Sequence, residues 1–331
     1  MTEMIAGQGV ATPTAGPFVR LRFWAQSLGL VWVLIVLCAF AVYLSPSFIQ
    51  IGNLLNVGRQ VARFGIVSIG MTFVILTRGI DLSVGSIVGV VAVASAIMLA
   101  SGVPIPVTMI AALVFGAVFG AANGLGVVFF SMPPFIMTLG ALVIGRGIAM
   151  TIANGEPQNL GKAGDAFHFL GGGFLLGIPV PIWIFVALAA VSFVVLRHTA
   201  FGRQIYAVGS NAEAARLAGI GVPRVLMSVY VISGVLSALT ALIFVSRLTV
   251  GEPTAGTNLE LEAISIVVIG GTSLFGGEGG VIGTVIGAAI IAVMANILNL
   301  LGISPFTQQI VKGAIILAAV GFEVMRHHRG K

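Results

Sequence analysis

Charged side chains are scarce in this sequence. Asp, Glu, Lys and Arg make up 8% of its 331 residues, whereas ordinary soluble domains carry about 25%. Hydrophobic residues reach 58%, and the mean hydropathy is +1.13. A water-soluble fold cannot bury this much apolar surface, and the apolar runs continue over about 17 to 25 residues, the length of a membrane-spanning helix. The sequence therefore predicts an all-α polytopic membrane protein and excludes a β-barrel, whose segments alternate apolar and polar residues.

The residues that most metal and catalytic sites require are also missing. The single cysteine, Cys38, has no partner for an intrachain disulfide, and His168 and His198 have no second ligand at metal-binding spacing. The glycine-rich segment 270–283 lacks the Gly-Lys-Ser/Thr that a phosphate-binding loop needs. We expect no catalytic, cofactor or metal site in this chain, so energy for any transport has to come from a partner or from an ion gradient.

Basic residues outnumber acidic ones by 16 to 10, and they gather at the ends of the apolar runs. Such clusters mark the cytoplasmic side of a membrane rather than a nucleic-acid surface. Arg20 and Arg22 then place the N-terminus in the cytoplasm, and the basic residues of 326–331 do the same for the C-terminus. The expected domains are a disordered cytoplasmic tail at 1–26, the transmembrane domain at 27–326 and a second cytoplasmic tail at 327–331.

Ten apolar spans are predicted between these tails. They are expected at residues 27–44, 61–77, 84–100, 107–130, 135–153, 180–196, 225–245, 261–274, 281–301 and 310–324. Six spans precede the arginine-rich loop 201–224 and four follow it, so this loop shares the cytoplasmic side with both termini. Arg59 and Arg63 then fall near the outer face, where they either snorkel or show that the second span begins earlier.

Two segments of the sequence are similar to each other. Residues 114–135 align without a gap with residues 285–306, which superposes Gly116 on Gly287 and one Pro-Phe pair on the other. The predicted topology places the two Pro-Phe pairs on opposite sides of the membrane. The alignment therefore favours two inverted repeats, a common plan of transporters.

Glycine is abundant, with 45 residues, and concentrates in segments 78–85 and 270–283. Each segment contains an acid, Asp81 or Glu278, next to residues that disfavour a continuous helix. Both are either tight turns at the cytoplasmic ends of helices or unwound stretches that line a cavity within the membrane. Arg146 is the clearest charge inside a predicted span, and we expect it to face Asp81 or a water-filled space, unless it snorkels near the outer end of a tilted helix.

The arginine-rich loop contains the pattern of one short helix. Ser210 as N-cap and Glu213 three residues later form a capping box, Arg216 lies in the last turn, and Gly219 stands at the C-cap. Eight residues at ~1.5 Å each give a rod of roughly 12 Å, too short to cross a bilayer. Its alanines and Leu217 offer a small apolar face to a partner. The alternative is a connecting loop with one helical turn.

The predicted outer loops carry acidic residues. Glu156 and Glu252 stand in two Gly-Glu-Pro tripeptides, and Glu260 follows the second of them. These residues either form a docking face for a soluble partner or belong to ordinary acidic loops.

Four stretches of the sequence carry a resemblance to a known family. Residues 71–86 read MTFVILTRGIDLSVGS, 138–149 read TLGALVIGRGIA, 201–220 read FGRQIYAVGSNAEAARLAGI, and 253–277 read PTAGTNLELEAISIVVIGGTSLFGG. The sequence resembles, over about residues 27–326, the membrane permease subunits of bacterial ATP-driven (ABC) simple-sugar importers. Arg78 and Glu278 depart from the family pattern, in which glycine and a basic residue are more usual.

This resemblance implies the type II ABC importer permease fold, with about ten helices and inverted repeats, in the bacterial inner membrane. It also implies a homodimer or pseudo-dimer of permeases, a cytoplasmic ATPase with two nucleotide-binding domains, and a periplasmic sugar-binding protein that delivers the substrate. ATP and Mg are used by the ATPase, and the permease binds no cofactor itself. Closure of the ATPase pair would move the short helix and switch the side to which the translocation path opens.

The site residues that we expect from the resemblance and from polarity fall into three groups. The coupling helix, which fits a cleft of the ATPase, comprises Ser210, Asn211, Glu213, Ala215, Arg216, Leu217 and Gly219. A weakly polar translocation path is lined by Asp81, Ser83, Ser86, Asn123, Thr138, Arg146, Asn296 and Asn299. The docking face for the binding protein comprises Glu156, Glu252 and Glu260.

Other functions stay open on the sequence alone. A related permease could carry a nucleoside, a branched-chain amino acid or a sugar alcohol, because the fold does not settle the substrate. A gradient-driven carrier would take up solute with protons or sodium in the absence of ATP. A membrane scaffold would have the same apolar content but would need no coupling helix.

Overall fold

The structure, a computed structural model, describes the backbone of residues 17–329 and the side chains mainly of residues 28–315. Its α-helices are α1 (Pro17–Leu44), α2 (Ile51–Leu76), α3 (Val84–Ala100), α4 (Ile105–Phe129), α5 (Pro134–Ala153), α6 (Gly164–Phe167), α7 (Phe169–Gly172), α8 (Val180–His198), α9 (Ala200–Ser210), α10 (Ala212–Leu217), α11 (Val222–Leu248), α12 (Leu259–Ile269), α13 (Val281–Leu300) and α14 (Pro305–Arg329). Two small antiparallel sheets pair β1 (Gln158–Asn159) with β4 (Val250–Gly251), and β2 (Phe174–Leu175) with β3 (Ile178–Pro179).

Each predicted span overlaps one of these helices. Within the described chain, six helices are long and apolar enough to cross a membrane, namely α2, α4, α5, α8, α11 and α13. α3 and the part of α1 from Leu28 onwards are shorter apolar helices. The predicted class, an all-α multi-pass membrane protein, is therefore confirmed, and the number of ten spans stays a prediction.

The terminal helices extend beyond the predicted spans. α1 begins at Pro17 and α14 continues to Arg329, and the division into two tails and a transmembrane domain stays a prediction. Residues 1–16 and 330–331 lie outside the described residues. The difference arises because hydropathy marks where a helix becomes apolar, not where its backbone hydrogen bonds begin.

α2 begins earlier than the second predicted span, which explains the two arginines near the predicted outer face. α2 begins at Ile51, ahead of the predicted start at residue 61. Arg59 and Arg63 therefore lie inside this helix, and the second of the two sequence interpretations is correct.

Two sets of three helices, α2 to α4 and α11 to α13, pack against each other in matching order. α4 packs along α11 while α13 packs along α2, and α3 contacts α11 while α12 contacts α2. Pro134 and Pro305, which the sequence alignment superposes, are each the first residue of a helix. This exchange of corresponding partners is the packing expected of inverted repeats.

Glycine permits the closest of these helix contacts. A Cβ atom on Gly120 of α4 would collide with the carbonyl oxygen of Tyr230 in α11, and one on Gly234 of α11 would collide with the carbonyl oxygen of Gly116. Small residues at such positions let helix backbones approach within a membrane.

The connection from α11 to α12 runs back along α3 instead of staying at the helix ends. Gly251 meets Ala92 and Ala96 from the middle of α3 towards its end, and Gly256 meets Gly85 near its start. α12 therefore starts inside the bundle and has 11 residues, which is about 16 Å of helix. The predicted eighth span at 261–274 is correspondingly shorter in the structure.

Candidate functional site

α10 is a short exposed helix, and its N-cap is Asn211. The side-chain Oδ1 of Asn211 accepts a hydrogen bond from the backbone N–H of Ala214 at 3.0 Å. Ser210 is the last residue of α9, so its predicted capping role is wrong. Asn211 has the extended backbone, with φ −158° and ψ 102°, that an N-cap requires. The helix has 6 residues rather than the predicted eight, which is about 9 Å.

The end of α10 follows the prediction for Gly219. This residue has φ +83°, and its N–H donates to the carbonyl oxygen of Arg216 at 3.0 Å. The N–H of Ile220 donates to the carbonyl oxygen of Ala215, also at 3.0 Å. These two bonds define a Schellman motif, in which glycine takes the left-handed position.

The exposed face of α10 has an apolar tip beside an ion pair. Leu217 is 78% exposed, and Nη2 of Arg216 lies 2.6 Å from Oε1 of Glu213. The hydrogen bond from Arg216 lowers the pKa of Glu213 below its ordinary value. An exposed pair of this kind adds little to stability, but it fixes two charges next to a protruding leucine. Ala215 is buried in the cluster that contains Val225, so it supports α10 from behind instead of offering the apolar face that the sequence predicted.

Arg78 joins the end of α9 to the rest of the bundle. Its Nε donates to the carbonyl oxygen of Gly209 at 2.6 Å, and its Nη2 donates to that of Ser210. Carbonyl groups in the last turn of a helix lack intrahelical partners, and a cation there also suits the helix dipole. The backbone of Arg78 has φ +65°, a conformation that glycine adopts more readily.

The glycine-rich connection between α12 and α13 contacts the ends of α2 and α9 beside Arg78. The N–H of Gly277 donates to the carbonyl oxygen of Leu76 at 3.0 Å, and the Tyr206 hydroxyl donates to the carbonyl oxygen of Gly279 at 2.9 Å. A Cβ atom on Gly209 would collide with the carbonyl oxygen of Leu76. We call this meeting point of Gly209, Ser210, Arg78 and residues 276–279 the coupling junction.

Asp81 lies inside the bundle, three residues beyond Arg78, and is fully buried. Its Oδ1 accepts hydrogen bonds from the N–H of Ser83 at 3.0 Å and from the hydroxyl of Ser83 at 2.6 Å. Its Oδ2 accepts from the hydroxyl of Ser233 at 2.7 Å. Ser233 is about 16 Å along α11 from Val222, at 1.5 Å per residue. Residues 78–83 are therefore an unwound stretch inside the bundle, whereas the 270–280 connection is a turn at the helix ends.

Five of the predicted path residues converge on this unwound stretch. Nδ2 of Asn123 donates to the Ser83 hydroxyl at 2.7 Å, and the Ser86 hydroxyl donates to the carbonyl oxygen of Ser83 at 2.9 Å. The Thr138 hydroxyl donates to the carbonyl oxygen of Ile80 at 3.0 Å. Together with Asp81 these side chains tie α3, α4, α5 and α11 to one buried segment. Their role in a translocation path stays a prediction.

The other two predicted path amides lie on α13, away from Asp81. Asn296 exchanges hydrogen bonds with Asn53 of α2 at 2.8 and 3.0 Å. Oδ1 of Asn299 accepts from Nε2 of Gln308 in α14 at 2.8 Å. Both amides therefore link helices, and their role in a path likewise stays a prediction.

Arg146 does not face Asp81, contrary to the expected pairing. Its Nη1 donates to the carbonyl oxygens of Pro253 at 2.7 Å and Ala255 at 3.0 Å. Thr138 of the same helix reaches the stretch around Asp81, and Arg146 lies eight residues further on, about 12 Å along α5. The guanidinium therefore holds the connection from β4 to α12 against α3, where its cost inside a membrane is offset by backbone acceptors.

The three predicted docking residues lie in different surroundings. Glu156 is exposed just after α5, and Glu252 is half-buried in the wall of a cavity of about 270 Å³. Oε2 of Glu260 is buried against Gly85 and has no hydrogen-bond partner among the described residues. The carboxylate of Glu260 thus points into the bundle, and docking through the three acids stays a prediction.

Sequence reasoning did not single out Ser233 or Tyr206. Ser233 stands in the run VISGVLS of an otherwise apolar span, where a small polar residue next to glycine indicates a close helix contact. Arg78 was noted only as a departure from the family pattern. Its contacts with Gly209 and Ser210 join segments far apart in the sequence, which no local pattern predicts.

Comparison with known proteins identifies the class of this chain. The family model described as "Branched-chain amino acid transport system / permease component" matches residues 53–320, and the chain belongs to this family of transport permeases. No solved structure matches the chain significantly.

The similar curated proteins are import permeases. The ribose import permease protein RbsC of Haemophilus influenzae is 44% identical over 289 residues, which cover 87% of this chain and 90% of that protein. RbsC of Bacillus subtilis is 45% identical over 295 residues, with coverage of 89% and 92%. The xylose transport system permease protein XylH of Escherichia coli is 34% identical over 373 aligned positions, with coverage of 94% and 95%.

Proposed function

We propose that this chain is the transmembrane subunit of an ATP-driven importer of a monosaccharide, a ribose-like pentose or a hexose. The observation that carries the proposal is the likeness, over nine-tenths of the ribose permease of Haemophilus influenzae, at 44% identity. The short exposed helix α10 supports it, because a permease without a nucleotide site needs a surface through which a separate ATPase can act.

The proposed complex contains a cytoplasmic ATPase with two nucleotide-binding domains, a second copy of the permease and a periplasmic sugar-binding protein. ATP and Mg are used by the ATPase. The chain lies in the bacterial inner membrane with about ten spans in inverted repeats, and both termini and α10 face the cytoplasm. This orientation follows from the basic residues at both ends of the chain and in the arginine-rich loop.

In the proposed mechanism, α10 moves with the ATPase, and the coupling junction passes the movement into the bundle. Arg78 is bonded to the end of α9 and lies three residues before Asp81. A displacement of α9 therefore pulls on the unwound stretch at the start of α3. Asp81 holds this stretch to α11 through Ser233, so the two repeats shift relative to each other, which alternates access to the path.

A branched-chain amino acid is the second candidate substrate, because the matching family model carries that description. A sugar is favoured over an amino acid, because the chain is 43% or more identical to ribose permeases, whereas the family description covers more distant proteins as well. Uptake by purified complex with labelled ribose and labelled leucine separates the two substrates.

Replacement of Leu217 by Asp tests the coupling role of α10. The permease is reconstituted with its ATPase and binding protein, and both sugar uptake and ATP hydrolysis are measured. We expect Leu217→Asp to lower ATP-driven uptake about tenfold or more, in the range of a coupling energy of one to three kcal/mol, while the chain stays in the membrane.

The control is Ser101→Asp, since Ser101 is exposed just after α3, at the other end of the bundle. Its uptake should equal that of the unaltered complex. Unchanged uptake in Leu217→Asp, or uptake driven by protons or sodium without ATP, would contradict the proposal.

A further inference from the structure

A cavity lined by three arginines lies at the end of the bundle opposite α10. It has a volume of about 250 Å³ and lies between α2, α7, α8 and α11. Arg59, Arg63 and Arg247 contribute guanidinium groups to its wall, and Ile243 and Leu248 contribute apolar side chains. The wall contains no carboxylate.

The positive charge of this cavity is only partly balanced by the described part of the chain. Glu262, which lines the neighbouring cavity with Arg63, already forms an ion pair with Lys312. Arg59 and Arg247 take part in no ion pair among the described residues. Like charges that line one cavity repel each other, so an anion bound among the three arginines stabilises the cluster.

The arginines are held in place by aromatic rings and an amide. Cζ of Arg59 lies 5.0 Å from the ring centroid of Phe174, and Cζ of Arg63 lies 4.6 Å from that of Phe64. Nη1 of Arg59 donates to Oδ1 of Asn56 at 2.9 Å. Nε of Arg59 is buried and has no hydrogen-bond partner among the described residues. A buried donor without a partner is costly, and a phosphate oxygen is the acceptor that best matches a guanidinium fork.

We propose that this cavity binds a phosphate group, namely that of an anionic phospholipid in the leaflet opposite α10. The surface beside the cavity suits acyl chains, because the β2–β3 hairpin exposes Phe174, Leu175 and Leu176, and α8 exposes Val186. Trp183 is half-exposed next to them and donates to the carbonyl oxygen of Leu175, as expected of a residue at the membrane–water interface. Basic pockets between transmembrane helices bind anionic lipid head groups on the cytoplasmic side of membranes, and the same charge complementarity applies in the opposite leaflet. This inference does not depend on which solute the permease carries.

The test measures lipid binding by the full-length chain, purified in detergent and stripped of lipid. Phosphatidylglycerol and phosphatidylcholine are added separately, and bound lipid is counted by native mass spectrometry. We expect one tightly bound phosphatidylglycerol per chain and much weaker binding of phosphatidylcholine. Each of Arg59→Gln and Arg247→Gln should weaken the binding of phosphatidylglycerol about fivefold, and the double variant should weaken it about twentyfold. Each arginine near a membrane surface contributes a comparable amount to the binding free energy of an anionic lipid.

The matched control is Arg224→Gln, which removes an exposed arginine from the other end of α11 and should leave lipid binding unchanged. Arg247 is itself exposed, so Arg247→Gln tests the proposal even if the double variant fails to fold. Equal binding of both lipids, or a double variant that keeps phosphatidylglycerol as tightly as the unaltered chain, would overturn the proposal.

Two further outcomes separate other anion sources. Inorganic phosphate at millimolar concentration is added in competition with phosphatidylglycerol. If phosphate displaces the lipid and raises the unfolding temperature of the chain as much as the lipid does, the cavity is a phosphate site and the lipid is not its ligand. If the arginine variants still bind phosphatidylglycerol but a soluble binding protein no longer stimulates ATP hydrolysis by their complexes, the arginines belong to a protein interface and the lipid assignment is wrong.

Discussion

Two interruptions of the helical bundle meet at the coupling junction, and they are built in opposite ways. The connection from α2 to α3 enters the bundle and is held by side chains, with Asp81 bonded to Ser83 and Ser233. The connection from α12 to α13 stays at the helix ends and is held by its backbone, where Gly271, Gly276 and other glycines have positive φ. The first connection therefore depends on the identity of single polar atoms, whereas the second depends on the absence of Cβ atoms.

This difference suits the two connections to different tasks. A backbone of glycines has many accessible conformations, so the α12–α13 connection can follow a movement of α9 at small cost. The α2–α3 connection is bound on both sides of a carboxylate and can move only by carrying α11 with it or by exchanging hydrogen bonds. We therefore expect the α2–α3 connection to transmit a displacement and the α12–α13 connection to accommodate it.

The largest effect is expected from Asp81→Asn, which tests the side-chain-held connection. The amide would point an N–H₂ group at hydroxyl or backbone N–H donors and leave these donors without the acceptor that Asp81 provides. We expect the free energy of unfolding to fall by about 2–4 kcal/mol and uptake to fall below detection. Thermal unfolding in detergent and vesicle uptake measure the two quantities.

Asp165→Asn is the control for this variant, because Asp165 is exposed in α6. It should change neither quantity. If Asp81→Asn is as stable and active as the unaltered permease, the α2–α3 connection is not fixed by its carboxylate.

A smaller effect is expected from Gly277→Ala, which tests the backbone-held connection. Gly277 has φ +75°, and a Cβ atom there would lie 3.0 Å from the backbone of Ser210. Gly271 has φ +81° with open space around it, so Gly271→Ala introduces the backbone strain alone. We expect a loss of about 1 kcal/mol for Gly271→Ala, as for a left-handed residue with a Cβ, and roughly twice that for Gly277→Ala. Equal unfolding temperatures for the two variants would show that the contact with Ser210 is unimportant.

The smallest effect on stability is expected from Arg78→Gly, which separates transmission from folding. The variant loses two hydrogen bonds to carbonyl groups, but glycine relieves the strain of a positive φ, so the free energy of unfolding should change by less than about 1 kcal/mol. We expect the number of sugar molecules imported per ATP hydrolysed to fall about fivefold, as for a modest loss of coupling energy.

Arg78→Lys is the matched variant for this experiment. It keeps the charge and the backbone strain, but lysine has no rigid fork with which to reach two carbonyl oxygens. The number of sugar molecules imported per ATP hydrolysed should therefore lie between the values for Arg78→Gly and for the unaltered protein. An unchanged ratio in Arg78→Gly would mean that the movement passes through the glycine connection instead.

Several features were predictable because they depend on short stretches of sequence. The positions of the apolar helices follow from hydropathy, and the end of α10 follows from Gly219, the first glycine after the helix, because glycine favours a left-handed backbone. The start of α10 was misplaced by one residue, since Ser210 and Asn211 are both good N-caps. The structure selects Asn211 because α9 continues through Ser210, whose carbonyl group is held by Arg78.

Other features depend on which helices lie side by side. Of the alternatives predicted for Arg146, the pairing with Asp81 is wrong, because the connection preceding α12 runs along α3 and offers Pro253 and Ala255 as acceptors. The same rearrangement turns Glu260 from a predicted outer surface toward Gly85. Neither position has a local sequence pattern, since both follow from contacts between segments about one hundred residues or more apart.

The sequence by itself determined that this protein is a helical membrane protein, that it has a short helix between two apolar halves, and that it belongs among transport permeases. These properties are carried by hydropathy, capping residues and motifs, each of which acts over a few neighbouring residues. Only the tertiary structure decided that residues 78–83 are unwound inside the bundle, that Arg78 binds α9, and that three arginines share one cavity. Burial and hydrogen bonding between distant segments set these features, and their energies depend on atoms that the linear chain does not place together.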